Sequence, residues 1–127
     1  MNNFEIYILE VIDLKKKKQY DLAWRKANEY MLKLVQEGHE MWYMLYHQMA
    51  DILAREKKWY EALKQMTYTF HYLGKVGGIT HQRFIEKLLK KVDKSSYFDE
   101  FVKISIDPEL DIETKISLTT EFRSLSA

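Results

Sequence analysis

One pattern is written twice between Leu14 and Leu73, 39 residues apart. Tyr20, Ala23, Trp24, Ala27, Met31 and Leu34 recur as Trp59, Ala62, Leu63, Met66, Phe70 and Leu73. Both sets step by three, four, seven, eleven and fourteen residues, the spacing of one face of an α-helix. Each set follows a lysine-rich bend, KKKKQY and then REKKWY, and each bend follows a leucine, Leu14 and then Leu53. Bends this short join antiparallel helices. The repeat therefore predicts an all-α fold of stacked helical hairpins.

Composition agrees with that expectation. One proline and four glycines leave few breaks, which favours long helices. A hydrophobic content of 46% over 127 residues suits a single domain, 1–127, with a core of its own. The absence of cysteine excludes disulfides, thiolate metal sites and cysteine nucleophiles, and suits a reducing, cytoplasmic setting. The opening MNNFEIYILEVIDL is too short and too acidic for a signal peptide or a membrane span. The net charge of +1 provides no global field for nucleic acid or membrane. Charge is nevertheless uneven: residues 79–96 hold five basic and two acidic side chains, and residues 97–127 hold three basic and seven acidic. These segments are expected to pack on each other, or the basic one to face an acidic partner.

The first helix is expected over Asn3–Leu14, capped by Asn2 or Asn3. Phe4, Tyr7, Val11 and Leu14 form one stripe, with Ile8 and Ile12 beside it. Ile6 and Leu9 extend the apolar surface almost all round, so the helix needs cover on a second side, from the C-terminal segment or from a second copy. Ile8 and Ile12 are the candidates for such self-association. Lys15 to Lys18 read as a solvated bend. A second helix over Tyr20–Gln36 ends at Gly38, a natural left-handed terminator. A third, over Glu40–Glu56, presents Trp42, Leu45, Tyr46, Met49, Ile52 and Leu53 to the core. A fourth runs over Trp59–Leu73, so the pairs occupy about 3–36 and 40–73. The glycine-rich stretch 74–78 ends the repeated unit. A fifth helix is expected from Thr80 to Val92, then a short sixth after Ser95 or Ser96. A last helix over Pro108–Leu125 uses Ile112, Ile116, Leu118, Phe122 and Leu125, the proline sitting in its first turn.

The spacing in residues 40–73 resembles a tetratricopeptide repeat. Tyr46, Met49, Ala50 and Leu53 match the family's first helix, and Trp59, Ala62, Met66 and Thr69 its second. Residues 7–34 match through Tyr7, Val11, Leu14, Tyr20, Ala23 and Ala27, while Glu10 departs. The interval of 39 exceeds the family's usual period of about 34 residues, and the proline that normally follows the second helix is missing. Phe84, Leu88 and Tyr97 sit near positions suited to a third, degenerate unit. The resemblance covers about half the chain and implies a scaffold that binds a peptide or protein in a groove lined by first helices, with the acidic C-terminal helix as cap. That surface would comprise Met44, His47, Gln48, Asp51 and Arg55, with Glu5, Ile8, Leu9, Ile12 and Lys16 as its counterparts on the first helix. The family's chaperone-binding members hold a carboxylate terminus with lysines and asparagines. Only Lys16 supplies such a residue here, so a chaperone adaptor is disfavoured. Similar arrays occur in peptide-sensing bacterial regulators behind a DNA-binding domain. This chain opens with methionine at its first helix, so no such domain is expected.

Other constellations are sparse. His47 and Asp51 lie one helical turn apart, but two ligands do not make a metal site. No serine lies in a nucleophile elbow. No catalytic, cofactor or metal site is expected, and the chain reads as a non-enzyme. Surplus aromatics, Trp42, Tyr43, Tyr68 and Tyr72, crowd more than one face and favour a protein interface. Arg83, Lys87, Lys90 and Lys94 form a basic row on the fifth helix and are the candidate contacts for a polyanion. The expected function is a protein- or peptide-binding scaffold. The alternative is a small regulatory nucleic-acid-binding protein that uses this row.

Overall fold

The computed structural model describes residues 3–39 and 43–125, all helices and turns with no strand among them. The order is α1 (Asn3–Lys16), α2 (Tyr20–Gln36), α3 (Tyr43–Arg55), α4 (Trp59–Leu73), α5 (Ile79–Lys91), a 3₁₀ turn at Ser95–Tyr97, α6 (Phe98–Ile106) and α7 (Ile112–Thr120). The expected start of the third helix at Glu40, the core position of Trp42 and the cap at Asn2 lie outside the described residues. No described helix is long and apolar enough to cross a membrane.

The duplicated pattern produces a duplicated turn. At the end of α1 the Gln19 N–H bonds to the Leu14 carbonyl at 3.0 Å and the Lys18 N–H to that of Lys15 at 2.9 Å. At the end of α3 the Lys58 N–H bonds to Leu53 at 2.9 Å and the Lys57 N–H to Ala54 at 3.0 Å. These are paired Schellman bonds, which satisfy the orphan carbonyls of a helix C-terminus. Both place a lysine at positive φ, Lys18 at 59° and Lys57 at 62°. The same turn follows α5, with Lys94 N–H on Leu89 at 2.8 Å and Asp93 at φ 58°. Gly38 and Gly74 end α2 and α4 in the left-handed conformation that costs glycine least.

Two hydrophobic clusters share α3. Leu45, Met49 and Ile52 face the first cluster, with Val11 and Ile8 of α1 and Ala27 and Leu34 of α2. Ala50, Leu53 and Ala54 face the second, with Leu63 and Phe70 of α4, Leu88 of α5 and Phe101 of α6. Trp24 of α2 packs against both clusters. Ala23, Ala27 and Ala62 are fully buried, and their small side chains let neighbouring helices approach.

Several expectations are corrected. Lys15 belongs to α1 and is 7% exposed, so it is no part of a solvated bend. The fifth helix starts at Ile79 behind Gly78, ahead of the expected Thr80. The last helix spans only Ile112–Thr120. Asp111 caps it, its side chain accepting from the Thr114 N–H at 2.7 Å, and Pro108 lies in the preceding turn. Phe122, at φ 56°, ends it, with the Arg123 N–H on the Leu118 carbonyl at 2.9 Å. Its buried residues are Lys115 and Thr119, while Ile112, Ile116, Leu118, Phe122 and Leu125 are only half-buried.

α7 packs on α4 and α6, and α1 packs on α2 and α3. Among the described residues the C-terminal segment therefore packs chiefly on the second hairpin, and α1 chiefly on α2 and α3. Ile8 is buried in the first cluster and Ile12 packs against it, whereas Ile6 and Leu9 are 47% and 52% exposed.

Candidate functional site

The α3 face holds the residues expected to line a groove, and the structure gives them contacts from three helices. Met44 packs against the first cluster. Asp51 Oδ2 accepts from Lys15 Nζ of α1 at 2.6 Å and from Arg55 Nε at 3.1 Å. Burial opposes the Asp51 charge, but these two cations hold its carboxyl below the usual range. His47 Nδ1 lies 2.8 Å from His81 Nδ1 of α5, one ring donating and the other accepting. The two rings meet edge to face at 4.6 Å, and Phe84 sits 5.1 Å from His47. Burial, then the His81 and Lys15 charges, push the His47 imidazole down to about 4 against the opposing pull of Asp51. Burial also lowers His81. Gln48 Oε1 is buried without a hydrogen-bond partner among the described residues. Arg55 remains exposed.

His81 was not placed beside His47 by any sequence spacing; only the folding of α5 onto this face brings them together. No group of three His, Cys, Asp or Glu among the described residues is arranged to hold a metal ion.

The basic row survives in part. Arg83, Lys87 and Lys90 are exposed on α5. Lys94 falls beyond the turn at Asp93, where its ammonium lies 5.5 Å from the Phe122 ring. Lys91 sits 5.4 Å over the Trp59 ring. Among the described residues no ion pair joins 79–96 to the acidic residues of 97–125. The expected packing of the two charged segments is therefore not electrostatic pairing. A depression of 320 Å³ lined by Asp51, Ala54, Arg55, Trp59 and Lys87 joins the α3 face to the basic row.

Tyr68 and Tyr72 of α4 stack on Tyr46 of α3, with centroids 4.9 and 5.6 Å away and planes within 13°. Burial and the two neighbouring phenols raise Tyr46 to about 12. Part of the aromatic surplus is thus spent on the α3–α4 contact, and Tyr72 keeps an exposed edge.

Sequence reasoning passed over one polar seam. Lys115 of α7 is 2% exposed; its Nζ donates to the Ser105 carbonyl at 2.8 Å and to His71 Nδ1 at 2.9 Å. The Thr67 and Thr119 hydroxyls meet at 2.9 Å beside it. A signal existed: Lys115 and Thr119 are four apart, a helical face written in polar residues.

Comparison with models of protein families, with curated proteins and with solved structures finds no match to this chain.

Proposed function

We propose that this chain is a non-enzymatic, cytoplasmic scaffold of tetratricopeptide-like type that binds a protein or peptide partner. One observation carries the reading. The same Schellman turn, with a lysine at the same left-handed position, closes α1 and α3 at an interval of 39 residues. A hairpin built twice and stacked through its first helices is the construction that repeat scaffolds use to present a continuous binding face. The test is capture from an extract of the source cells on immobilised protein, with and without nuclease. A protein retained despite nuclease supports the reading. Lys87→Glu, exposed at the 320 Å³ depression, should then release it. His47 and Asp51 are poor test sites, because both hold helices together.

A second reading has its own support. Arg83, Lys87 and Lys90 are exposed and form no ion pair among the described residues, as a phosphate-contacting face requires. Retention lost on nuclease treatment favours this reading. Binding that weakens steeply with salt, and less steeply after Arg83, Lys87 and Lys90 are changed to Gln, would establish it.

A further inference from the structure

A trough runs between the second helices of the two hairpins. Its main part, a cleft of 560 Å³, is lined by Asp21, Trp24 and Arg25 of α2, Leu53 and Glu56 at the end of α3, and Lys58, Glu61, Lys64 and Gln65 at the start of α4. A second depression of 460 Å³ shares Asp21, Arg25 and Glu56 with it and continues to Lys18 and Gln19 at the first bend. The two depressions share three lining residues and so adjoin one another.

The charges of the trough are unusual. Three acidic side chains (Asp21, Glu56, Glu61) and three basic ones (Arg25, Lys58, Lys64) surround the cleft, all exposed. None of these six forms an ion pair among the described residues, although ion pairs form elsewhere on the same surface. Both signs therefore stand open to a ligand. Between them lie the apolar surfaces of Trp24 and Leu53, and Trp24 is only half-buried. Indole is a strong anchor for an apolar side chain at an interface. On the α4 wall, Gln65 Oε1 has no hydrogen-bond partner among the described residues. A buried acceptor left unpaired costs stability, and a small outward shift would let it accept from an N–H in the trough.

We propose that this trough binds an extended peptide segment in which an apolar residue, seated on Trp24, lies between an acidic and a basic residue. The acidic residue meets Arg25, Lys58 and Lys64; the basic one meets Asp21, Glu56 and Glu61. This rests on the peptide-binding reading above and adds to it a second site, separate from the α3 face. Uniformly acidic or basic peptides face repulsion from half the trough and gain less.

The test uses an array of ten-residue peptides, each with a central Leu, Phe or Trp flanked by Glu/Lys, Glu/Glu, Lys/Lys or Ser/Ser, probed with the full chain. Mixed-charge peptides should bind at least tenfold more tightly than the others. Arg25→Glu with Lys64→Glu, two exposed changes checked for unaltered circular dichroism, should remove at least tenfold of that binding. Equal binding of all charge classes overturns the proposal. If peptide binding survives this variant but is lost in Lys87→Glu, the trough assignment fails and the scaffold reading stands. If no peptide binds and no protein is captured from extract, both fail. If the chain sediments as a dimer that Arg25→Glu with Lys64→Glu converts to monomer, the trough is an interface between copies and the proposal is overturned.

Discussion

Lys15 of α1 and Asp51 of α3 meet at 2.6 Å, with side chains 9% and 26% exposed. They fasten the first helices of the two hairpins together. The lysine lies along the core with its stem and carries its charge to the Asp51 carboxylate, an arrangement long amphipathic side chains permit.

Truncating one partner should be worse than replacing both. Lys15→Ala leaves Asp51 largely buried with only Arg55 to balance it, and should cost about 3 kcal/mol in urea unfolding. Lys15→Met combined with Asp51→Leu should come within about 1 kcal/mol of the parent, because an apolar pair avoids the desolvation cost. A loss below about 0.5 kcal/mol for Lys15→Ala would mean that the pair behaves as a solvated surface bridge.

Acid should loosen the joint between α3 and α5. The His47 imidazole falls from 6.5 to about 4 in the folded chain, so the unfolded chain binds more protons between those values. Stability is then complete above the unfolded value near 6.5 and is lost as pH falls towards 4. The loss should reach roughly 3 kcal/mol and belongs to the His47–His81 pair, which shares one proton. Thermal melts from pH 7.5 to 4.5 on the parent and on His47→Phe would show it. An identical slope in both would place the acid sensitivity elsewhere.

The two lysine turns should welcome glycine. Lys18 and Lys57 adopt positive φ, a region that costs a side chain about 1–2 kcal/mol. Lys18→Gly and Lys57→Gly should each stabilise the chain by roughly 0.5–1 kcal/mol after the extra entropy of unfolded glycine is deducted. A fall in melting temperature for either variant would show that its lysine contributes more than its backbone conformation costs.

Helix α1 should separate core from surface. Ile8→Glu with Ile12→Glu should unfold the chain, because Ile8 is buried and Ile12 packs on the same cluster. Ile6→Glu with Leu9→Glu, on the exposed side, should keep the fold. Circular dichroism reads the first effect. Sedimentation of the second variant reads whether that side joins two copies.

The periodic part of the fold was legible. α2 and α4 begin and end at the residues their apolar spacing implies, because alanine, leucine and phenylalanine on one face have a single use. What escaped notice was polar. Lys15 stood in a run of four lysines, and local order says nothing of a carboxylate 36 positions away. Lys115 and Thr119 form the buried face of α7, yet polar residues at helical spacing look like solvent contacts until partners from α4 and α6 arrive. Pro108 and Asp111 both offered a helix start, and the aspartate prevailed because it supplies an acceptor for an orphan N–H. The residues assigned to the α3 face follow from spacing within one helix. The link of that face to His81 and Lys87 depends on how α5 folds back, which spacing within one helix does not encode.

Helix α3 is a party wall: each of its flanks belongs to a different cluster, and Trp24 reaches across to both. Cutting the chain between the hairpins would therefore not release two domains. It would give two halves, each with a raw apolar side, that must find one another again before either has a shape to keep.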